Sequence, residues 1–289
     1  MTTVETAETQ MIHPVPSQDL PRLERTKNIR IEKVPWPGVP RIMILNMRKP
    51  PTDELAVRQA INYGIDKEAL VQTLFKGTGQ VAYAPLTMGM LDDPALRAFY
   101  PYDPGKAQQL LEQAGWKDTD GDGIRERDGK KLEFLIHSVD YGGGPWPEAQ
   151  LVQAQLRELG IDANIKSQAR APWYEDNYKC LTNGPILFLR SGDWDGLYSL
   201  FHSSVIASNF NFACYSNPHI DALLEEGRQR GDVGTRRQVY LTLEQRLLEE
   251  AVSVPLVDEW SVWAARQTVK GLKFNAFAYP VLSDLFVEK

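Results

Sequence analysis

Hydrophobic and polar positions alternate along this chain with two periods, and each period marks an element. Val57, Ala60, Ile61 and Gly64 fall at helical spacing with Arg58, Gln59 and Asn62 turned away, while Asp53 and Glu54 suit a first turn, so one amphipathic helix is expected here. Asp66 reads as the N-cap of a second helix running through Leu70 to Phe75. Tyr102-Asp103-Pro104 opens another, with Asp103 as N-cap, Pro104 at the first helical position, Ala107, Leu110, Leu111 and Ala114 on one face and Gly115 at the stop. Leu132, Phe134 and Ile136 alternate as a strand. Leu151, Val152, Leu156 and Leu159 then line a helix ended by Gly160, and Ile161, Ala163 and Ile165 alternate again. Strand, helix and strand with short connections form a βαβ unit, which requires parallel pairing and a right-handed crossover.

The remaining pattern agrees. Ile186 to Leu189 is a continuous apolar run suited to a strand covered on both faces. Asn217-Pro218 caps a helix carrying Ile220, Leu223 and Leu224, a longer helix from about Thr235 to Glu250 turns Val239, Leu243 and Leu247 inward, and Val254 to Val257 is expected as a strand. Ile29 to Val34 and Arg41 to Asn46 alternate as strands about a Pro35-Trp36-Pro37-Gly38 turn. Before Arg30 the text is rich in Thr, Glu and Pro, so little regular structure is expected beyond a short helix near Leu20. The class is α/β, with a mixed sheet and flanking helices.

Composition narrows the function classes. With 289 residues the chain is long enough for one large or two modest cores. A formal charge of -6 with interspersed signs gives no basic stripe, which argues against a nucleic-acid partner. No apolar run approaches the roughly 18 residues of a membrane span, and the first residues lack the basic and apolar regions of a signal peptide. Cys180 and Cys214 are too few for a disulfide scaffold and lack zinc-like spacing; they either pair across the lobe that holds them or stand as two buried thiols. The four histidines are scattered. No nucleophile elbow or metal triad is readable, and no cofactor is expected.

Arg58 to Lys67 and on to Leu70, Arg-Gln-Ala-Ile-Asn-Tyr-Gly-Ile-Asp-Lys-Glu-Ala-Leu, resembles the extracellular solute-binding proteins of ABC importers, in the family that carries dipeptides, oligopeptides and nickel (family 5). Further segments follow the family's order: Tyr-Asp-Pro-Gly-Lys-Ala from Tyr102, Asp-Thr-Asp-Gly-Asp-Gly-Ile from Asp118, Leu-Gly-Ile-Asp from Leu159, Tyr-Ser-Asn-Pro-His-Ile-Asp-Ala-Leu-Leu from Tyr215, Ser-Val-Pro-Leu from Ser253 and Val-Lys-Gly-Leu from Val269. The resemblance implies a lobe of the type II periplasmic-binding-protein fold, truncated at the N-terminus. Residues 1–50 would belong to a partial first lobe and crossover, 51–265 to the second α/β lobe and 266–289 to a return segment. It also implies a periplasmic or extracellular protein, held by a lipid anchor in its full-length form, that acts as a monomer. Such a protein binds a peptide or other small solute between hinged lobes, delivers it to an ABC permease and catalyses nothing. This chain alone is expected to bind ligand weakly or not at all.

The sharpest site candidate is Gly192-Asp193-Trp194-Asp195-Gly196-Leu197, directly after the apolar strand, because ligands in open α/β sheets collect outside the carboxyl ends of strands. By resemblance, Asp193 with Trp194 matches a family segment whose carboxylate pairs with a peptide's α-amino group; the alternative is that Asp193 and Asp195 merely cap the helix that begins near Gly196. Asn209-Phe210-Asn211-Phe212 is the second candidate. As an extended segment it would turn two amides to a peptide main chain and two rings to the core, or lie as an edge strand with solvated amides.

Asp118, Asp120, Asp122 and Gly123 imitate the start of a calcium loop, but Gly129 stands where a closing Glu is required, and the family's stretch here is a turn. Gly77-Thr78-Gly79 and Gly142-Gly143-Gly144 lack phosphate-loop context and read as turns. Trp146, Trp173, Trp260 and Trp263 suit sugar stacking or core packing alike. The same residues support two rival functions: a hydrolase using Asp193 and Asp195 as an acid-base pair, and a calcium-stabilised interaction module on Asp118 to Asp122. The scaffold segments specify the frame and not the cargo, which in the family is a peptide, nickel complex, oligosaccharide or opine.

Overall fold

A computed structural model describes residues 2–288. The chain opens with β1 (Met11–Ile12), α1 (Leu20–Leu23), β2 (Ile29–Pro35) and β3 (Gly38–Ile44). Gly38 is obligatory at the start of β3: its φ is 114°, and a Cβ there would lie 2.2 Å from the Leu189 carbonyl oxygen. Next come α2 (Leu55–Gly64) and α3 (Lys67–Leu70), the latter capped by Asp66, which accepts the Ala69 N–H at 2.8 Å, and continued by a π turn over Val71–Phe75. After β4 (Gly79–Val81) and α4 (Pro94–Arg97), α5 (Pro104–Gln113) starts at Asp103, which accepts the Lys106 N–H at 2.8 Å. A small hairpin of β5 (Glu126–Arg127) and β6 (Lys130–Lys131) leads into β7 (Glu133–Asp140), α6 (Pro147–Glu158), β8 (Asp162–Ala169), α7 (Arg170–Tyr178) and β9 (Gly184–Arg190). The rest is α8 (Gly196–Phe201), α9 (Pro218–Gln229), α10 (Val233–Glu249), β10 (Ser253–Arg266), β11 (Val269–Lys270) and β12 (Phe286–Val287).

The main sheet runs β1-β10-β3-β9-β7-β8, with β2 and β4 also paired to β10. The expected βαβ unit is present: β7 and β8 are parallel in register from Glu133 with Asp162 to Asp140 with Ala169, and β9 runs parallel to β7. β3 is antiparallel to both β9 and β10, so the sheet is mixed. Alternation divides its faces. Met43, Ile136, Ile186, Val254 and Leu256 join α2, α5 and α6 in one core, whereas Ile42, Ile44, Val139 and Leu187 join α8, α9 and α10 in another. Each such side chain contributes about 1.5–3 kcal/mol by leaving water.

Two findings depart from the sequence reading, in β10 and in α2, and two others complete it. β10 does not stop at Val257. It continues to Arg266 because β2 supplies partners from Trp260 with Pro35 to Arg266 with Ile29. The segment before Arg30 is short of regular structure but not loose: Val4, Val15, Leu20 and Leu23 pack under β10 against Val262 and Ala264.

Arg58 and Asn62 are buried rather than turned away, at 4 % and 0 % exposure. Arg58 donates from Nε to the Glu250 carbonyl at 3.0 Å and from Nη1 to the Thr52 and Asp53 carbonyls at 2.9 and 3.0 Å, and Asn62 donates to the Ser253 carbonyl at 3.2 Å. Both tie α2 to the end of α10 and the start of β10, satisfying carbonyls that burial would otherwise strand. Finally, Cys180 and Cys214 are bridged, with Cα atoms 6.2 Å apart, and no free cysteine remains among the described residues.

Candidate functional site

The parallel strands β7, β8 and β9 end on one edge, and a cleft of about 280 Å³ opens there. Strand ends and the segments just beyond them line it: Val139 and Tyr141 from β7, Trp146 at the start of α6, Arg170, Trp173 and Tyr174 of α7, Ile186 to Leu189 of β9, and Phe210. Beyond β7 the chain turns on Asp140, whose Oδ1 accepts the N–H groups of Gly142, Gly143 and Gly144 at 2.6, 3.0 and 3.0 Å. These backbone donors hold its carboxyl below the usual carboxylate range. Gly142 and Gly144 have φ of 99° and 84°, so the tight wrap needs glycine at both.

The aromatic wall is braced from behind by charge. Trp146 stacks on Phe188 with ring centroids 5.9 Å apart, and the Arg41 guanidinium sits 4.5 Å from the Trp146 ring and 5.4 Å from that of Phe188. Arg41 is fixed between Glu148 and Glu259 at 2.5 and 2.9 Å; burial by itself would weaken its charge, but the two carboxylates outweigh it and raise its pKa. Arg190 shares Glu259 at 3.0 Å and lies 4.7 Å from the Phe188 ring and 4.4 Å from that of Trp36. Each cation-ring contact contributes about 0.5–2 kcal/mol, so the wall is preorganised rather than plastic. On the other side Trp173 is locked by its Nε1–H to the His137 carbonyl at 3.2 Å, and Arg170 lies at the mouth over the Tyr174 ring at 5.5 Å.

Asp193 follows β9 on the loop expected for it, but its carboxylate is already engaged. Arg236 donates to both of its oxygens, with Nη1 to Oδ2 at 2.9 Å, and the Asp195 N–H donates to Oδ1 at 2.8 Å. Arg236 is the main reason that Asp193 stays ionised well below its ordinary pKa. Asp195 lies 3.2 Å from Arg228, makes no side-chain cap to α8, and is pushed up by burial, so the capping alternative fails for it. Trp194 turns away from the cleft: its Nε1–H donates to the Met90 carbonyl at 3.1 Å and its ring lies 5.4 Å from Tyr240.

Asn209 to Phe212 is a turn and not an extended segment, which corrects the expected alternation of amides and rings. The physical cause is Asn211, buried at 1 % exposure: its Nδ2 donates to the His202 and Tyr215 carbonyls and its Oδ1 accepts the Tyr215 N–H, all at 3.0 Å. That amide is fully used inside the protein. Asn209 accepts the Phe210 N–H at 3.0 Å, Phe212 is buried against Trp173 at 5.4 Å, and Phe210 alone of the four lines the cleft.

Sequence reasoning missed Tyr141, Arg170, Tyr174 and Phe188, and weighed Trp146 and Trp173 only as sugar stackers or core. The signal for Arg170 was available: it is the first residue after β8, the same carboxyl-end position that singled out the loop after β9. As for metal, the one group of three acidic or metal-ligating side chains clustered among the described residues is Asp118, Asp120 and Glu126, with ligand atoms within 4.8 Å of one another. Glu126, not the residue at Gly129, approaches the loop. Asp118 spends its oxygens on the Gly121 and Gly123 N–H groups at 2.7 and 3.0 Å.

Comparison with known proteins bears on the family and the fold. The family model described as bacterial extracellular solute-binding proteins, family 5 Middle, matches residues 1–206. The oligopeptide-binding protein AppA of Bacillus subtilis is 29 % identical over 230 residues, covering 76 % of this chain and 41 % of its own length. A probable di/tripeptide-binding protein 5 of Pseudomonas aeruginosa is 30 % identical over 287 residues, covering 94 % of this chain and 50 % of its own. Among solved structures, NikA from Brucella suis in complex with Fe(III)-EDTA superimposes with a TM-score of 0.84 at 24 % identity, over 99 % of this chain and 59 % of that one. The chain thus spans about half the length of the curated relatives it matches. No helix among the described residues is long and apolar enough to cross a membrane. A mixed α/β sheet, a cleft at its carboxyl edge and a family match over most of the chain lead to one assignment: the chain belongs to the family 5 bacterial extracellular solute-binding proteins, a family of binding proteins and not of enzymes.

Proposed function

We propose that this chain supplies one wall of the solute site of an ABC importer's binding protein, that the solute is a peptide, and that it is held between two hinged lobes before delivery to a membrane permease. The observation that carries this is the aromatic cleft at the shared carboxyl edge of β7, β8 and β9, with Arg170 at its mouth and Asp193 on the next loop. Aromatic walls receive peptide side chains, and the two charges are of the signs that a peptide's termini require. The names of the matched relatives, oligopeptide-binding and di/tripeptide-binding, point the same way.

Asp193 keeps its role in this reading, with Arg236 as an added partner. A carboxylate offers about four lone-pair sites, and Arg236 and the Asp195 N–H use three of them. One remains for an ammonium, and the arginine keeps the acid charged and aimed.

The test is a titration of the complete two-lobed protein monitored by tryptophan fluorescence, with Trp146 and Trp173 as reporters in the cleft, using the tripeptide Ala-Phe-Ala and its N-acetylated form. Losing a charge-assisted hydrogen bond of about 1.5–3 kcal/mol should weaken binding roughly ten-fold or more, both on acetylation and in Asp193→Asn. Equal affinity for the two peptides would remove Asp193 from the site. Saturable binding of a metal chelate with no response to either peptide would replace the peptide by a different solute.

A further inference from the structure

A second cleft, of about 230 Å³, shares no lining residue with the aromatic one. Ile65, Lys67, Val81 and Tyr100 form its buried end, at 1 %, 7 %, 6 % and 7 % exposure, while Glu68 and the half-exposed Tyr102 stand at its rim. Lys67 is the anomaly. The neighbouring polar groups are turned to other partners: the Asp66 carboxylate caps the Ala69 N–H, Arg97 is bound to Asp92, and the Tyr100 hydroxyl donates to the Leu248 carbonyl at 2.8 Å. No carboxylate comes within ion-pair distance of the Lys67 amine among the described residues, and burial without a counter-ion pushes its pKa down to about 8. An amine of this kind costs stability unless something supplies the opposite charge.

We propose that this cleft binds a small organic monocarboxylate with a flat apolar body, its carboxylate on Lys67 and its body against Tyr83, Tyr100 and Tyr102. A single negative charge is what the site can take, because it offers one unpaired cation in a buried end that is otherwise apolar, where a second charge would stay unmatched. The volume is below that of sites for drug-sized ligands, and the inner lining is aliphatic and aromatic, which favours a ring over a charged or extended chain. The capped N-terminus of α3 plays no part, since Asp66 already occupies it.

The experiment uses the whole chain with ¹³Cε-labelled lysine, titrated with benzoate, acetate and inorganic phosphate. The Lys67 signal, identified by its disappearance in Lys67→Met, should shift saturably with benzoate and respond at ten-fold or higher concentration to acetate. Benzoate should also raise the melting temperature of the parent protein and leave that of Lys67→Met unmoved. That variant should fold and melt no lower than the parent, because methionine fills the space of an unpaired buried charge. A stationary Lys67 signal, equal stabilisation of Lys67→Met, or acetate or phosphate binding as tightly as benzoate would each overturn the proposal. Should that variant fail to fold, Lys67→Arg, which keeps the charge, identifies the signal by its loss, and the comparison of the three anions on the parent protein decides the matter.

Discussion

Glu244 gives the fold a pH dependence of predictable sign. It lies on α10 with 0 % exposure; its Oε1 accepts the Leu86 N–H at 2.7 Å, and its Oε2 has no partner. Burial pushes the carboxyl up to about 8. Unfolded, it would titrate near its ordinary value, so between about pH 4.5 and pH 8 the folded protein holds the proton more tightly than the unfolded chain. The associated stability is therefore fully present below about pH 4.5 and is lost as the pH rises through about 8. At about 1.4 kcal/mol for each pH unit of that window the ceiling is roughly 5 kcal/mol, and relaxation of the site reduces it to a few.

Glu244→Gln keeps an oxygen for the Leu86 N–H and removes the ionisation. The variant should match the parent within about 1 kcal/mol at pH 5 and exceed it by a few kcal/mol at pH 9, measured by urea unfolding followed by circular dichroism across that range. A residual slope should persist, because Asp258 receives the Met88 N–H at 3.0 Å and is likewise raised by burial. If the two unfolding free energies differ by a constant at every pH, the reasoning is refuted. The loop held by these acids also carries Met90, whose carbonyl receives the Trp194 indole at 3.1 Å.

Two further outcomes test the scaffold. The Cys180–Cys214 bridge spans a sequence separation of 34, so its removal as Cys180→Ala with Cys214→Ala should cost about 3–4 kcal/mol on chain-entropy grounds, and reductant should lower the parent's melting temperature but not the double variant's. At Gly64 a Cβ would meet the Leu159 side chain at 2.2 Å, so Gly64→Ala should destabilise by about 1–3 kcal/mol in thermal unfolding even though alanine favours helix; a gain in stability would show that α2 can shift away from Leu159.

The clearest elements in the sequence were those whose pattern and caps agree. Asp66, Asp103 and Asn217 each accept the N–H expected of an N-cap, and the β7-α6-β8 unit pairs in parallel because its apolar periods leave no other way to bury both faces. The polar face of α2 was misread for a different reason. Periodicity assigns polar residues to water, whereas Arg58 and Asn62 answer to carbonyls at the far end of the chain, around Glu250 and Ser253, which no local window contains.

The site shows the same division. The sequence by itself determined the α/β class, the family, and the rule that a ligand is met beyond the carboxyl ends of the parallel strands, because these depend on local period, local capping and the order of motifs. The tertiary structure decided which side chains stand at that edge. It sent Trp194 to Met90 and Tyr240, used up Asn211 on His202 and Tyr215, placed Arg236 on Asp193, and brought Arg170, Trp146 and Phe188 together from three separate elements. Such meetings depend on which groups must satisfy one another once water is excluded, and that competition is settled only when distant segments are packed side by side.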